Sequence, residues 1–242
     1  MNTWGIRRYG YIVFYILLVV VLYATMNGNI EENILRNDTS EASIASGQES
    51  EYDIFIDLTE SMLYLFKGDE LIKKYAVAQG KDKSPSPIGI WEITSKARNW
   101  GTGFGTRWMG INVPWGIYGI HGTNKPYSIG QRASAGCFRM HNSDVEELYD
   151  IVPYRTKVYV YGGPYKNLGS HLEVLSPGDR KSHVLEVQLR LKTKGYYKGA
   201  IDGIYGEGMK QALLEFKKDN GLPNNHYVDR ESYEALGILQ FE

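Results

Sequence analysis

The first hydrophobic segment of the chain is a continuous run with no period. Residues 9–26 contain no charged side chain over 18 positions. At about 1.5 Å of rise per residue, a helix of that length nearly crosses a hydrocarbon layer of about 30 Å. We therefore expect residues 9–26 to form one transmembrane helix that anchors the chain.

The charges on either side of this run indicate its orientation. Arg7 and Arg8 precede it, whereas Glu31 and Glu32 follow it. Because basic flanks stay on the cytoplasmic side, residues 1–8 are expected to be a cytoplasmic tail, with the remainder of the chain outside the cell membrane. A cleaved signal peptide is the alternative, although Ala-Thr-Met at the end of the run matches a cleavage site poorly.

From residue 52 onward, short apolar runs alternate with turn residues, which is typical of β-strands. A capping-box pattern from Ser143 to Glu146 predicts one helix in this part of the chain. The stretch 97–119, rich in Gly, Trp and Asn, predicts loops around a site. We expect a mostly β domain over 52–163 with one or two short helices and with strands near 53–58, 62–66, 71–77, 90–93 and 157–161.

The carboxyl part of the chain has a helical period instead. Apolar residues at Met209, Ala212, Leu213 and Phe216 are spaced as on one helix face. Together with possible caps at Ser182 and Asp229, they predict a small all-α domain of three helices over 182–240. Residues 27–51 are polar and predict a flexible linker. The Pro- and Gly-containing segment 164–181 predicts a linker between the two domains.

Composition excludes several classes of function. The 27 basic and 28 acidic residues leave a net charge of −1, so no basic field is available to bind nucleic acid. No Cys/His spacing indicates a metal site, and no cofactor is expected. The chain has one cysteine, Cys137, and therefore no intramolecular disulfide.

The sequence around this cysteine suggests nucleophilic chemistry. His121 precedes Cys137 by 16 residues, far enough to return on an adjacent strand, and Arg139 follows by two. A neighbouring imidazole or cation lowers a thiol pKa and makes the thiol a better nucleophile. Gly136 would let the backbone turn tightly and present N–H groups to an oxyanion. These residues predict acyl transfer by a Cys–His pair, with a buried and inert thiol as the alternative.

The residues from His121 to Met140 resemble the signature of the YkuD-type L,D-transpeptidases. The shared pattern is H-G…S-x-G-C-x-R-M, carried here by His121-Gly122 and by Ser134-Ala135-Gly136-Cys137-Phe138-Arg139-Met140. Residues 84–93 resemble the family's T-P-x-G-x-F-x-I element. The resemblance covers about 52–163 and implies a β-rich, sandwich-like fold. Ala135 replaces a histidine common in the family, which leaves His121 as the proton carrier.

The resemblance also implies an activity and a role for each residue. Cys137 would attack a donor stem tetrapeptide of peptidoglycan, release its terminal D-alanine and form a thioester. A second stem's amine would then give a 3-3 cross-link, with His121 as the base and Gly122 orienting it. Backbone N–H groups at Gly136 and Cys137 would stabilise the oxyanion. Arg139 would bind a substrate carboxylate or support the loop, and Ser134 would stabilise the loop.

The carboxyl segment resembles a three-helix peptidoglycan-binding domain, chiefly in Gly195-Tyr196-Tyr197 and in Asp202-Gly203-Ile204-Tyr205-Gly206. The expected partners are therefore peptidoglycan stem peptides and glycan, with the membrane reached through the anchor. The family's chemistry further implies carbapenem-type β-lactams as covalent inhibitors.

Three other functions compete with this interpretation. An L,D-carboxypeptidase would use the same site with water as the acceptor. A sortase also combines Cys, His and Arg, but its histidine lies further before the cysteine and its arginine further after it. A non-catalytic scaffold that binds the cell wall would leave Cys137 unreactive.

Overall fold

The computed structural model describes residues 50–165 and 168–238. Within them, the amino-terminal part is built mainly from strands and the carboxyl part from helices. The strands are β1 Tyr52–Asp57, β2 Met62–Lys67, β3 Glu70–Ala76, β4 Gln79–Gly80, β5 Gly89–Arg98, β6 Arg107–Ile111, β7 Tyr118–His121, β8 Arg132–Ser134, β9 Phe138–Arg139 and β10 Lys157–Tyr161. The helices are α1 Asn142–Ile151, α2 Ser182–Thr193, α3 Glu207–Asp219 and α4 Arg230–Ala235, with a 3-10 turn at Pro126–Ser128.

Eight of the strands form one sheet in the order β3-β2-β1-β10-β5-β6-β7-β9. The pairs β1–β10 and β7–β9 are parallel, and the other neighbours in this sheet are antiparallel. Strands β4 and β8 form a separate parallel pair. The last strand pair of the large sheet, β7–β9, contains the histidine and borders the cysteine singled out in the sequence.

Strand β5 joins the two halves of the sheet. Its first residues pair with β10, and after a register shift between Ile93 and Ser95 it pairs with β6. Such an irregularity bends a strand and increases its local twist. One hydrophobic core therefore receives side chains from both halves and from α1, including Ile54, Ile120 and Val145. The predicted mostly β domain is confirmed.

Strands β6 and β7 lie where loops were expected, because the stretch 97–119 is not irregular throughout. Gly119 serves close packing, because a Cβ there would lie 2.6 Å from the Met109 carbonyl oxygen and 2.8 Å from the Trp108 ring. Trp108 fills the space over the glycine, and Met109 is fully buried. Gly119 therefore marks a close approach inside a sheet and not a loop.

Helix α1 begins two residues before the position that the capping box indicated. His141 is the N-cap and makes no side-chain capping bond, while Ser143 donates to Asp144 at 3.3 Å. The amide of Asn142 has another function, because its Oδ1 accepts a hydrogen bond from the Thr123 N–H at 3.1 Å. The start of the helix thus also fixes the loop that follows β7.

The carboxyl domain is helical, as predicted. Its own core includes Val187, Leu213 and Phe216, and Asp229 caps α4 by accepting from the Ser232 N–H at 3.0 Å. Ser182 differs from the prediction, because Lys181 occupies the N-cap of α2. The Ser182 hydroxyl instead accepts a hydrogen bond from the Ile88 N–H at 2.9 Å, which links this domain to the β domain.

The predicted cytoplasmic tail 1–8, the anchor 9–26 and nearly all of the linker 27–51 lie outside the described residues. Among the helices that the structure does describe, none has the length and apolarity needed to cross a membrane.

Candidate active site

The parallel pair β7–β9 brings together the two ends of the sequence motif. Strand β7 ends at His121, and β9 begins immediately after Cys137. In register, Ile120 pairs with Phe138 and His121 pairs with Arg139. The pairing thus places the strand that follows Cys137 directly beside the strand that carries His121.

The alternation along these strands puts the chemical groups on one face. Ile120 and Phe138 are fully buried and point into the core. Side chains of a strand alternate between faces, so His121 and Arg139 point to the opposite one, and Cys137 shares that face with Arg139. The charge of Arg139 lowers the pKa of both His121 and Cys137, as expected for three groups around one site.

His121 is held in an aromatic enclosure. The Trp108 ring stacks on the imidazole with centroids 5.6 Å apart, and Phe104 meets it edge-on at 5.0 Å. Only 3% of the residue is exposed. Burial, with a smaller contribution from the charge of Arg139, lowers the pKa of His121 to about 4, although the carbonyls of Gly122 and Phe104 oppose this change. The imidazole is therefore neutral at physiological pH.

The imidazole is also fixed in one tautomer. Its Nδ1 lies 2.5 Å from the carbonyl oxygen of Gly122, the residue assigned an orienting role from the sequence. A carbonyl can only accept, so Nδ1 carries the proton and donates it. Nε2 is left with a lone pair. A buried, neutral imidazole with this tautomer can act as a general base.

The thiol of Cys137 does not have the lowered pKa expected from its neighbours. Burial raises the pKa of Cys137 above its ordinary value, while the Gly119 N–H and the Arg139 charge oppose that effect without reversing it. In this state the site therefore holds a neutral thiol and a neutral imidazole. Its chemistry depends on moving the thiol proton to the base during attack.

The turn before Cys137 is closed by Ser134, which is 1% exposed. The Ser134 hydroxyl donates to the Cys137 carbonyl oxygen at 2.6 Å and accepts from the Gly136 N–H at 3.0 Å. In this state the Gly136 N–H is thus engaged with Ser134, and its oxyanion role stays a prediction. The Cys137 N–H remains the candidate donor in this turn.

Position 136 requires glycine, because of its backbone conformation and because there is no room for a side chain. Its φ is +120°, and a Cβ there would lie 2.6 Å from the Tyr118 ring. Tyr118, which the sequence analysis did not single out, thus packs directly behind the residue preceding the thiol. Burial raises the pKa of Tyr118, and the nearby Cys137 adds to this increase.

Arg139 is tied into the fold by its backbone. Its N–H donates to the Ala78 carbonyl at 2.9 Å, and its carbonyl accepts from the Ala78 N–H at 2.8 Å. The residue therefore supports the turn through its main chain, while its charge acts on the thiol and the imidazole.

Other residues of the site were also missed by the sequence analysis, notably Phe104, Trp108 and Asn142. The first two lie in the stretch expected to be loops, and their signal was the aromatic content of that stretch. Asn142 fits only because glycines face it: a Cβ at Gly105 or Gly122 would lie 2.1 or 2.2 Å from its Oδ1.

Two family models match the chain. Residues 51–160 match YkuD, described as "L,D-transpeptidase catalytic domain", and residues 180–236 match a model described as "Putative peptidoglycan binding domain". Together these segments cover the β domain and the helical domain.

Curated relatives agree with the first of these matches. The chain is similar to "Putative L,D-transpeptidase YkuD" of Bacillus licheniformis, at 43% identity over 109 residues that make up 45% of this chain and 65% of that protein. The protein of the same name from Bacillus subtilis is 41% identical over the same shares of each chain. The solution structure of the catalytic domain from E. faecium L,D-transpeptidase is 25% identical, with a TM-score of 0.41 over 48% of this chain and 100% of that one. The alignments to the Bacillus proteins thus span just under two thirds of those relatives.

Proposed function

Because the chain combines a YkuD L,D-transpeptidase catalytic domain over residues 51–160 with a carboxyl-terminal peptidoglycan-binding domain over 180–236, we propose that it is a cysteine-dependent L,D-transpeptidase. Its substrates are the stem peptides of peptidoglycan, and its product is a 3-3 cross-link. No cofactor takes part. The reaction runs through a thioester on Cys137.

One observation carries this proposal. The parallel pair β7–β9 places His121 beside Arg139, two residues after Cys137, and the Gly122 carbonyl fixes the tautomer that leaves a lone pair on His121 Nε2. This is the arrangement that acyl transfer requires: a nucleophile, a base, and a third group that orients the base.

The first half of the reaction forms the thioester. Cys137 Sγ attacks the carbonyl carbon at the L-centre of the donor's diamino acid, and His121 Nε2 takes the thiol proton as the C–S bond forms. The Cys137 N–H donates to the developing oxyanion, and Arg139 offsets its charge. When the tetrahedral intermediate collapses, the C–N bond breaks, His121 returns the proton to the nitrogen, and D-alanine leaves.

The second half transfers the acyl group. The side-chain amine of an acceptor stem attacks the thioester carbonyl, and His121 takes a proton from that amine. Collapse of the second intermediate breaks the C–S bond, and the thiolate recovers its proton from the imidazolium. Water in place of the amine gives a free carboxylate, which is the carboxypeptidase reaction.

The carboxyl domain would hold the enzyme on its polymeric substrate. For the amino-terminal region, we propose a single membrane-spanning helix over 9–26 that anchors the enzyme, with the catalytic domain on the outer side at the cell wall. Protease added to intact spheroplasts should digest residues 50–238 under this arrangement, and their protection would contradict it.

The same chemistry accounts for inhibition by carbapenem-type β-lactams, which we propose as covalent ligands of Cys137. Attack on the strained lactam carbonyl opens the ring, and the lactam nitrogen takes the proton. The acyl group stays on sulfur, so the adduct mass equals the sum of protein and drug.

The test of the proposed activity uses the full chain in detergent with a soluble disaccharide-tetrapeptide, followed by mass spectrometry. A dimer that has lost one D-alanine is expected with the wild type and not with Cys137→Ala. Loss of D-alanine without a dimer would show that the chain is a carboxypeptidase and not a transpeptidase. If a folded chain that still binds sacculi gives no product, the chain is a non-catalytic scaffold that binds the cell wall.

A further inference from the structure

The β domain and the carboxyl domain meet in a buried contact between Trp115 and Gly203. Trp115 is 9% exposed and belongs to the β-domain core. A Cβ at Gly203 would lie 2.3 Å from Cε3 of the Trp115 ring. The indole therefore rests directly on the bare backbone of the carboxyl domain, and any side chain at Gly203 would displace it.

The turn that contains Gly203 is held rigidly by Gln188, which is fully buried. Gln188 Oε1 accepts from the N–H groups of Asp202 and Gly203 at 3.0 and 2.8 Å, and its amide donates to Asp202 Oδ1 at 2.8 Å. Five polar atoms are thus satisfied by one another inside the domain. The surface that faces Trp115 is therefore preformed.

From Trp115, contacts continue to the turn that carries the thiol. The ring of Trp115 lies edge-on to Tyr118, with centroids 6.4 Å apart. Tyr118 in turn occupies the space where a Cβ of Gly136 would lie, 2.6 Å from its ring. Because Gly136 directly precedes Cys137, three successive contacts connect Gly203 to the residue before the nucleophile: Gly203 with Trp115, Trp115 with Tyr118, and Tyr118 with Gly136.

A second contact between the domains runs beside the first. Ile88 donates its N–H to the Ser182 hydroxyl of the carboxyl domain at 2.9 Å. Three residues earlier, the Pro85 carbonyl oxygen would lie 3.4 Å from a Cβ at Gly136. The segment 85–88 therefore touches the carboxyl domain at one end and the Cys137 turn at the other.

We propose that the carboxyl domain positions the nucleophile as well as binding the cell wall, with Gly203, Trp115 and Tyr118 as positioning residues for Cys137. Contact with Gly203 sets the place of the Trp115 ring, Trp115 limits the place of Tyr118, and Tyr118 supports the Gly136–Cys137 turn. The effect on turnover rests on the proposed function, whereas the effect on the thiol does not.

The test compares Gly203→Ala with Gly221→Ala in the full chain. Both glycines are left-handed, with φ of +68° and +67°, but a Cβ at Gly221 would meet no described atom within 4 Å. The two variants thus share the backbone strain and differ in the clash with Trp115. Two rates are measured well below both unfolding temperatures: iodoacetamide alkylation of Cys137 across pH, and turnover of a soluble tetrapeptide that needs no wall binding.

In Gly203→Ala, we expect the alkylation profile to change and kcat to fall by about tenfold or more, since misplacement by about 1 Å can cost about a hundredfold. Gly221→Ala should stay within about twofold of the wild type. In a Trp115→Phe background, where the outer ring of the indole is gone, Gly203→Ala should reduce kcat no more than Gly221→Ala does. If Gly203→Ala alone does not fold, the same measurements in the Trp115→Phe background test the positioning role.

Equal alkylation and equal turnover in the two glycine variants would overturn the positioning role. If the wild type turns over no peptide while the alkylation profiles still differ, the proposed function fails and the positioning role stands.

Discussion

The Nδ1 atom of His121 lies 2.5 Å from the carbonyl oxygen of Gly122, the next residue in the chain. The contact depends on the end of β7, where the chain leaves the sheet and the Gly122 carbonyl turns back toward the ring. A neighbouring carbonyl orients the base without adding a negative charge. Because no carboxylate raises the pKa of the imidazole from this side, burial lowers it strongly.

This low pKa predicts the acid side of the pH profile. The base must be neutral, and the pKa of His121 is about 4, so activity should be lost only as the pH falls through about 4. The measurement is kcat/KM on soluble tetrapeptide between pH 3 and pH 8, which reports the free enzyme. An acid limb near 6.5, the ordinary value for histidine, would show that the imidazole is solvated in solution.

Arg139 should change the behaviour of both reactive groups in the same direction. Its charge lowers the pKa of Cys137 and the pKa of His121, so Arg139→Gln should raise both. We expect the alkylation profile of Cys137 and the acid limb of kcat/KM to move to higher pH. Arg139→Lys keeps the charge and serves as the control. Identical profiles for the Gln and Lys variants would assign Arg139 a backbone role only.

The parts of the fold that follow from local pattern could be predicted from the sequence. Strands β1, β2 and β10 are apolar runs between turn residues, and Asp229 is a strong helix cap with a partner at Ser232. Strands β6 and β7 could not be predicted, because Gly110 and Gly119 look like loop residues until Trp108 is seen to cover Gly119.

The candidate site was predictable in its residues and not in its electrostatics. His121 and Cys137 are evident from their motif, but the pKa of each depends on burial by residues distant in the sequence. Phe104 and Trp108 enclose the imidazole only after β6 and β7 pair. In the same way, the bond from Gly136 to Ser134 follows from the shape of the turn, which no residue spacing specifies.

Ser134 should matter to both stability and turnover, because its hydroxyl closes the turn on two sides. Ser134→Ala leaves the Gly136 N–H without its partner in a buried place, at a cost of about 1–3 kcal/mol. We expect a lower unfolding temperature and a reduced kcat. Ser84→Ala is the matched control, because the Ser84 hydroxyl makes only a 3.4 Å contact with the Ser134 carbonyl. Equal losses of unfolding temperature and kcat in the two variants would show that Ser134 does not support the Cys137 turn.

Carbapenem acylation should depend on the base as well as on the thiol. With imipenem, the wild-type chain should gain the mass of the intact drug, and Cys137→Ala should gain none. His121→Gln keeps an amide that can still donate to the Gly122 carbonyl but cannot take a proton at neutral pH. Because the thiol is neutral at pH 7, we expect acylation at least about tenfold slower in that variant, in line with general-base catalysis. An unchanged rate would mean that the thiol ionises without His121.

Lys217 in the carboxyl domain is the most buried charge that the structure describes, with 0% exposure. Its ammonium group donates to Asn225 Oδ1 at 2.8 Å and to the Tyr227 carbonyl at 2.6 Å, and it lies 3.4 Å from Asp229. Removing one partner of such a buried set costs about 3–5 kcal/mol, because the remaining polar groups lose their compensation. Lys217→Ala should therefore lower the free energy of unfolding by that amount in urea titrations.

Lys218→Ala provides the control for this last prediction, since the neighbouring side chain is exposed and should tolerate truncation within about 0.5 kcal/mol. The pH dependence gives a second check. Although burial opposes the shift, hydrogen bonds from Ser232 and the charge of Lys217 hold the pKa of Asp229 below its usual range. This carboxylate therefore adds stability that is lost as the pH falls through its folded pKa. Lys217→Ala should weaken that acid dependence. If Lys217→Ala and Lys218→Ala unfold at the same urea concentration, the buried ammonium contributes no net stability and its polar partners are satisfied by water.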